Sequence, residues 1–224
     1  MRSIGFSVTF TEEAVDFLRS LPEQARDKMM YNIGRVQEGE INNELFKKLE
    51  NSEIWEFRTL YNKIAYRLFA FWDTEEETIV VATHDIIKKR QKTPLKEIKK
   101  AERIRTEYFI KKLTKMAQMK LTPLADVLDE FYGPKGTSRR DEHERKVAEA
   151  VEAYRIGAAI KEVRKQEKIT QEELGERMGI GKSQISKIES GKDVTFSTIV
   201  RAFKALGAKT ATIDLGKMGR VALW

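Results

Sequence analysis

Apolar positions change their period along the chain, and the changes divide it. Residues 4–10 (IGFSVTF) alternate loosely, the period-2 pattern of a strand. Thr11 offers a cap to a helix that opens with Glu12 and Glu13, acids at its positive end, and runs to about Leu21. Pro22 suits the first position of a second helix, which Gly39 ends. Residues 54–60 (IWEFRTL) and 64–72 (IAYRLFAFW) read as strands joined by the short loop Tyr61-Asn62-Lys63, hence a hairpin. The second run is almost continuously apolar, as a central strand is. A polar loop, 73–77, leads to a further buried-type strand, 78–83 (TIVVAT). Pro94 then opens a long basic helix with Leu95, Ile98, Ala101, Ile104 and Tyr108 at helical spacing. The order β-α-α-β-β-β-α predicts an α+β domain, a small antiparallel sheet with helices.

After Met119 the pattern becomes helical. Thr122-Pro123 starts a short helix to about Tyr132, and Gly133-Pro134-Lys135-Gly136 breaks the chain. A long helix over 138–166 comes next, then a T-x-x-E capping box at Thr170 and Glu173. Further helices are predicted at 170–178, 182–190 and 196–206, with a short strand in 208–215, and no internal repeat is present.

Composition narrows the picture only in places. No run of 18 apolar residues spans a membrane, and the polar N-terminal segment is not a signal peptide. The absence of cysteine removes disulfides, thiolate metal sites and cysteine nucleophiles, and fits a cytoplasmic location. The two histidines, His84 and His143, are too few for a His-rich metal site, so no metal and no cofactor is expected. Net charge is +7, and residues 86–115 concentrate it, with 12 Lys and Arg against 3 Glu. Such an excess suits either a polyanion partner or a solvated helix face.

Two short helices joined by a turn containing Gly179 have helix-turn-helix spacing. Leu174, Met178, Ile180, Ile185 and Ile188 supply a buried face, which leaves Lys182, Ser183, Gln184, Ser186 and Lys187 on the second helix to meet bases and phosphate. Gln171, in the first turn of the preceding helix, is placed to reach a phosphate. The run ITQEELGERMGIGKSQISKIESGK closely resembles the Cro/C1-type (XRE) helix-turn-helix family, over roughly residues 160–206. The resemblance implies binding to operator DNA as a homodimer on half-sites one turn apart.

In the first half, Arg67 interrupts an apolar run. It either pairs with Glu56 across the hairpin or joins Arg58 in presenting guanidiniums to phosphate. The segments IWEFR, AYRLFAFW and HDIIKKRQKTPLKEIKKAE resemble the HigB-like branch of RelE-type toxins, over roughly residues 4–109. Asp85 and Ile86 stand where Gly and Phe are usual in that branch, and Phe57 where Leu is usual. The resemblance implies a RelE-like fold, ribosome-dependent cleavage of translated mRNA, and a working surface of Arg58, Arg67, His84, Lys88, Lys89 and Lys92. Metal-free RNA cleavage needs a base for the 2′-OH, an acid for the leaving oxygen and cations around the phosphate, which Arg, Lys and one His can supply. Two alternatives stay open: a ParE-like gyrase inhibitor, and a transcriptional regulator with an inactive RelE-like domain.

The second half resembles HigA-like antitoxins, through Gly133-Pro134-Lys135-Gly136-Thr137 and Arg140-Asp141-Glu142 ahead of the XRE motif. Leu124, Val127, Leu128 and Phe131 line one face of the short helix, which also carries Asp126, Asp129 and Glu130 and no Lys or Arg. An acidic amphipathic helix suits the cover of a basic groove. The expected layout is a toxin domain over 1–113, a connector at 114–120, a neutralising segment at 121–145 and an antitoxin DNA-binding domain over 146–224. The contact could form within one chain or between chains of a bacterial cytoplasmic complex.

Overall fold

The computed structural model describes residues 6–87, 95–114 and 119–224. They form two compact units, Met1–Ala148 and Glu149–Trp224. Lys88, Lys89 and Lys92 lie outside the described residues.

In the first unit, β1 (Ser7–Thr11) leads directly into α1 (Glu12–Ser20), and α2 (Glu23–Gln37) comes after it. Thr11 accepts the Ala14 N–H as the helix cap and donates its hydroxyl to the Ala82 carbonyl at 2.7 Å. One side chain therefore both starts α1 and pins that start to the sheet. Then come β2 (Phe46–Lys48), β3 (Trp55–Tyr61), β4 (Ile64–Asp73), β5 (Thr78–Ile87) and the basic helix α3 (Leu95–Thr114). The β3–β4 turn puts Asn62 and Lys63 at positive φ, 46° and 64°, the sign that a tight two-residue hairpin turn needs at both positions. After α3, β6 (Leu121–Pro123) precedes α4 (Leu124–Tyr132) and α5 (Ser138–Gln166), a helix that begins in this unit and continues into the other.

The six strands lie in the order β2-β3-β4-β5-β1-β6. The hairpins are antiparallel as expected, but β1 runs parallel to β5, with Val8 beside Ile79 and Phe10 beside Val81. The sheet is thus mixed. Its α1/α2 face buries Phe57, Leu68, Ala70 and Val81 against Phe17, Leu18, Met29 and Ile33. Its α3 face buries Ile54, Phe69, Phe71 and Val80 against Ala101. Two-sided burial accounts for the continuous apolar run of β4.

The second unit packs α6 (Gln171–Met178), α7 (Lys182–Glu189) and α8 (Phe196–Ala205) with the last part of α5 around Ile160, Leu174, Ile185 and Ala202. The expected strand in 208–215 is only Thr212–Asp214 (β7), paired antiparallel with β8 (Arg220–Ala222).

Candidate functional site

Arg58 and Arg67 are direct partners across the β3–β4 ladder, so two like charges face each other. Such a pair is destabilising unless something neutralises it. Glu56, two residues along the same face, supplies the neutralisation: its Oε2 lies 3.0 Å from Arg67 Nη1 and its Oε1 lies 3.2 Å from Arg58 Nε. The side chains of Glu56 and Arg67 are 4% and 10% exposed, that of Arg58 41%. Of the two readings of Arg67, the cross-hairpin pair is the one the structure realises. Arg58 is the guanidinium that solvent, and therefore a phosphate, can reach.

His84 is not part of this cluster. It lies opposite Leu68, on the α1/α2 face, whereas Arg58 and Arg67 share the α3 face. Its ring stacks on Phe17 with centroids 4.0 Å apart and planes 9° from parallel. Its Nδ1 is 3.6 Å from Glu13 Oε1. That oxygen also accepts the Thr83 hydroxyl and the Lys100 ammonium, the latter at 2.6 Å. Burial by itself would raise the Glu13 carboxyl, but the hydrogen bonds from Lys100 and Thr83 outweigh it and hold the group below its ordinary value.

In the second unit, Thr170 and Glu173 close the predicted capping box, and Gly179 ends α6 in the left-handed region at φ 66°. Gly175 has a separate reason to be glycine: a Cβ there would sit 2.6 Å from the Ile180 carbonyl oxygen, so the turn comes this close only over a bare Cα. Lys182, Ser183, Ser186 and Lys187 stand on α7, with Lys182, Ser183, Ser186 and Lys187 all exposed. Gln184 donates to Asp193 at 2.9 Å, and Gln171 donates to Glu189 at 2.8 Å. Glu189 is buried and also takes Arg164 Nε at 2.5 Å and Nη2 at 3.1 Å, while Arg164 Nη1 donates to the Ile169 carbonyl. The end of α5 is thereby tied to both helices of the reading motif. A glutamine amide has two N–H donors, so Gln171 can hold Glu189 and still offer one to phosphate.

Residues 16–106 match the model of a family described as phage derived protein Gp49-like (DUF891), and residues 160–213 match a helix-turn-helix family model. The chain joins a Gp49-like domain to a helix-turn-helix domain. No curated protein and no solved structure matches it.

The Gp49-like match stops at residue 106, yet the compact unit runs on to Ala148. The residues beyond the match are built into that unit. β6 adds an antiparallel strand to the β1 edge, pairing Phe10 with Thr122. Leu124, Val127, Leu128 and Tyr132 of α4 enter the same apolar core as Phe10 and Phe17. The acids of α4 also find partners: Glu130 is bidentate with Arg19, at 2.7 and 2.9 Å, and Asp129 takes Arg140 at 2.5 Å. Phe131 lies under the Arg26 guanidinium at 4.5 Å. The helix therefore does meet basic residues, but they include those of α1 and α2 and none of the Arg58 and Arg67 pair. It lies on the face opposite Arg58 and Arg67, because its apolar stripe completes the α1/α2 core.

Glu13 and Lys100 belong to this constellation and escape a reading by motif. In sequence Glu13 looks like an ordinary acid at a helix start, and Lys100 like one more cation on a basic helix. The parallel β1–β5 pairing brings Glu13 to Thr83 and His84, and the packing of α3 on the sheet brings Lys100 there.

Proposed function

We propose that the chain is a type II toxin–antitoxin module. In it the Gp49-like domain is a ribosome-dependent mRNA endoribonuclease, held latent by the segment C-terminal to it, and the helix-turn-helix domain binds operator DNA and represses its own transcription as a homodimer. The observation that carries this reading is the β6–α4 segment, which supplies an edge strand and four buried core side chains to a domain of a RelE/HigB-type toxin family. In this reading the segment is a neutraliser rather than a spacer, and its packing into the domain supports that. Being in the same chain, it acts at an effective concentration on the order of millimolar. Leu124, Val127 and Leu128 anchor it, Phe131 packs under Arg26, and Asp129 and Glu130 fix its register by charge.

The cleavage chemistry is in-line attack of a 2′-oxygen on the neighbouring phosphate without a metal. In this reading Arg58 stabilises the charge that builds on the phosphate, with Arg67 behind it, and Lys88, Lys89 and Lys92 add cations. His84 stands on the other face of the sheet from Arg58, so in this reading a lysine of the Lys88, Lys89 and Lys92 run takes the proton in its place. On the DNA side, Lys182, Ser183, Gln184, Ser186 and Lys187 face the groove, and Gln171 takes a phosphate.

A second reading is favoured by one observation. Arg67 is enclosed and paired with Glu56, and His84 lies on the opposite face, as suits a regulator whose Gp49-like domain is inactive. Expression of residues 1–118 alone, with 119–224 supplied separately, and as one chain separates the readings. Growth arrest with cleaved mRNA only in the first case is the expected result. Harmless, soluble 1–118 favours the regulator, and arrest with intact mRNA and inhibited gyrase favours a ParE-like toxin.

A further inference from the structure

We infer that Glu56 is a positioning residue for Arg58: its buried carboxylate takes the Nε edge of the exposed guanidinium and leaves the Nη2 end for the phosphodiester of an RNA strand. The inference rests on the nuclease reading for its ligand, RNA, but not for its geometry. Among the described residues the Arg58 guanidinium has two polar partners. Glu56 Oε1 lies 3.2 Å from its Nε, and the Asn43 carbonyl accepts its Nη1 at 3.3 Å. A guanidinium carries five N–H donors in one rigid plane. Two fixed points therefore orient the whole group, and the donors of Nη2 are used by neither contact.

Both partners are themselves held. Glu56 Oε2 takes Nη1 of the enclosed Arg67 at 3.0 Å, so the carboxylate is not free to swing after Arg58. Arg67 anchors Glu56, and Glu56 anchors Arg58. The loop that offers the Asn43 carbonyl is fixed by Asn42, whose side chain accepts the Leu45 N–H at 3.1 Å and donates to the fully buried Glu40 at 3.0 Å. Neutralisation alone does not need so exact a seat. Any carboxylate near two guanidiniums lowers their repulsion, and beside an RNA site it also costs affinity, because it cancels charge that the phosphates would use. Fixing a long side chain before binding works in the other direction, since the entropy of ordering it is not lost in the complex.

The competing account is that Glu56 only neutralises the Arg58 and Arg67 pair. Glu56→Asp separates the two, because it keeps the charge and withdraws it by one methylene. Two measurements on the full-length chain decide: the order of the Arg58 Nε–Hε bond from its nitrogen–proton NOE, and the affinity for a 2′-O-methylated RNA oligonucleotide, which has no 2′-OH to attack. Nε–Hε should be as ordered as the backbone in the native chain and mobile in Glu56→Asp, with RNA affinity lower by about 2- to 10-fold, the cost of fixing one long side chain. Arg58→Lys, which keeps the charge without the planar fork, should lose a similar factor, and Glu56→Asp should add nothing to it. An Arg58 as ordered in Glu56→Asp as in the native chain overturns the inference. So does unchanged RNA affinity in Glu56→Asp while Arg58→Ala weakens it. Should Glu56→Asp lose the amide protection of β3 and β4, the Arg58→Lys chain decides, and native affinity there with a loss in Arg58→Ala overturns the inference equally. Failure of the nuclease reading looks different: Arg58→Ala binds the RNA as tightly as the native chain, while the order of Arg58 still depends on Glu56.

Discussion

Removing the Glu189 carboxylate should collapse the reading head of the helix-turn-helix domain. Glu189 sits at the end of α7 with its side chain 3% exposed, against 11% for Arg164. It receives three hydrogen bonds, two from Arg164 and one from Gln171. Glu189→Ala leaves the Arg164 guanidinium enclosed with the Ile169 carbonyl as its remaining partner among these contacts. Breaking a buried pair from one side costs about 3–5 kcal/mol. A domain of this size has roughly 5–15 kcal/mol in total. A large share of the stability of the second unit is therefore at stake. The assay is native-state hydrogen exchange of the α6 and α7 amides in the full-length chain, with operator binding measured in the same samples. Glu189→Gln keeps the size and one acceptor and should lose about 1–3 kcal/mol. Replacing both partners by apolar residues, Arg164→Met with Glu189→Met, should recover much of the Glu189→Ala loss, since no charge is stranded. A loss below about 1 kcal/mol for Glu189→Ala, or strict additivity in the cycle, would refute the reasoning.

Three other outcomes are expected. Gly157→Ala should destabilise the second unit by about 1–3 kcal/mol, read from the same exchange protection, because its Cβ would lie 2.4 Å from the Ile188 carbonyl oxygen and 2.9 Å from that of Glu189, backbone atoms that cannot swing aside. Burial, and then the Arg140 cation, hold the His143 imidazole below its ordinary 6.5. The unfolded chain then takes up the proton first, so this stabilisation is complete above about pH 6.5 and is lost as pH falls toward the folded value; melting of the first unit should decline over that window, and His143→Phe, which keeps the stack on Tyr132, should flatten the decline. The Tyr108 phenol, pushed up to about 12 by burial and by its hydrogen bond to Asp73, should titrate at lower pH in Asp73→Asn, which ultraviolet difference spectra would track.

The same Asp73 shows how little of the charged architecture is visible along the chain. It begins a polar loop in sequence, yet it is fully buried and accepts Tyr108 and Lys112 from α3 at 2.7 Å each. Glu56 and Arg67 are the contrary case. They are neighbours across a hairpin whose register the turn at Asn62-Lys63 sets, so their pairing is one of the two readings open from sequence alone.

Sequence by itself determined the parts governed by local chemistry. The helix caps at Thr11 and Thr170, the β3–β4 hairpin and the helix-turn-helix with its Gly179 turn depend on residues within a few positions of one another, whereas residues 121–123, read as the start of a helix, form a strand. Tertiary structure decided everything that required distant segments to meet. The parallel pairing of β1 with β5, the strand that residues 121–123 add to the β1 edge, and the face on which α4 buries its apolar stripe have no local signature. The period-2 alternation of a strand says which residues share a face but not which helix covers that face. That is why His84 and Arg67, read from sequence as one surface, stand on opposite sides of the sheet, and why Glu13, seventy-one positions before His84, is its neighbour.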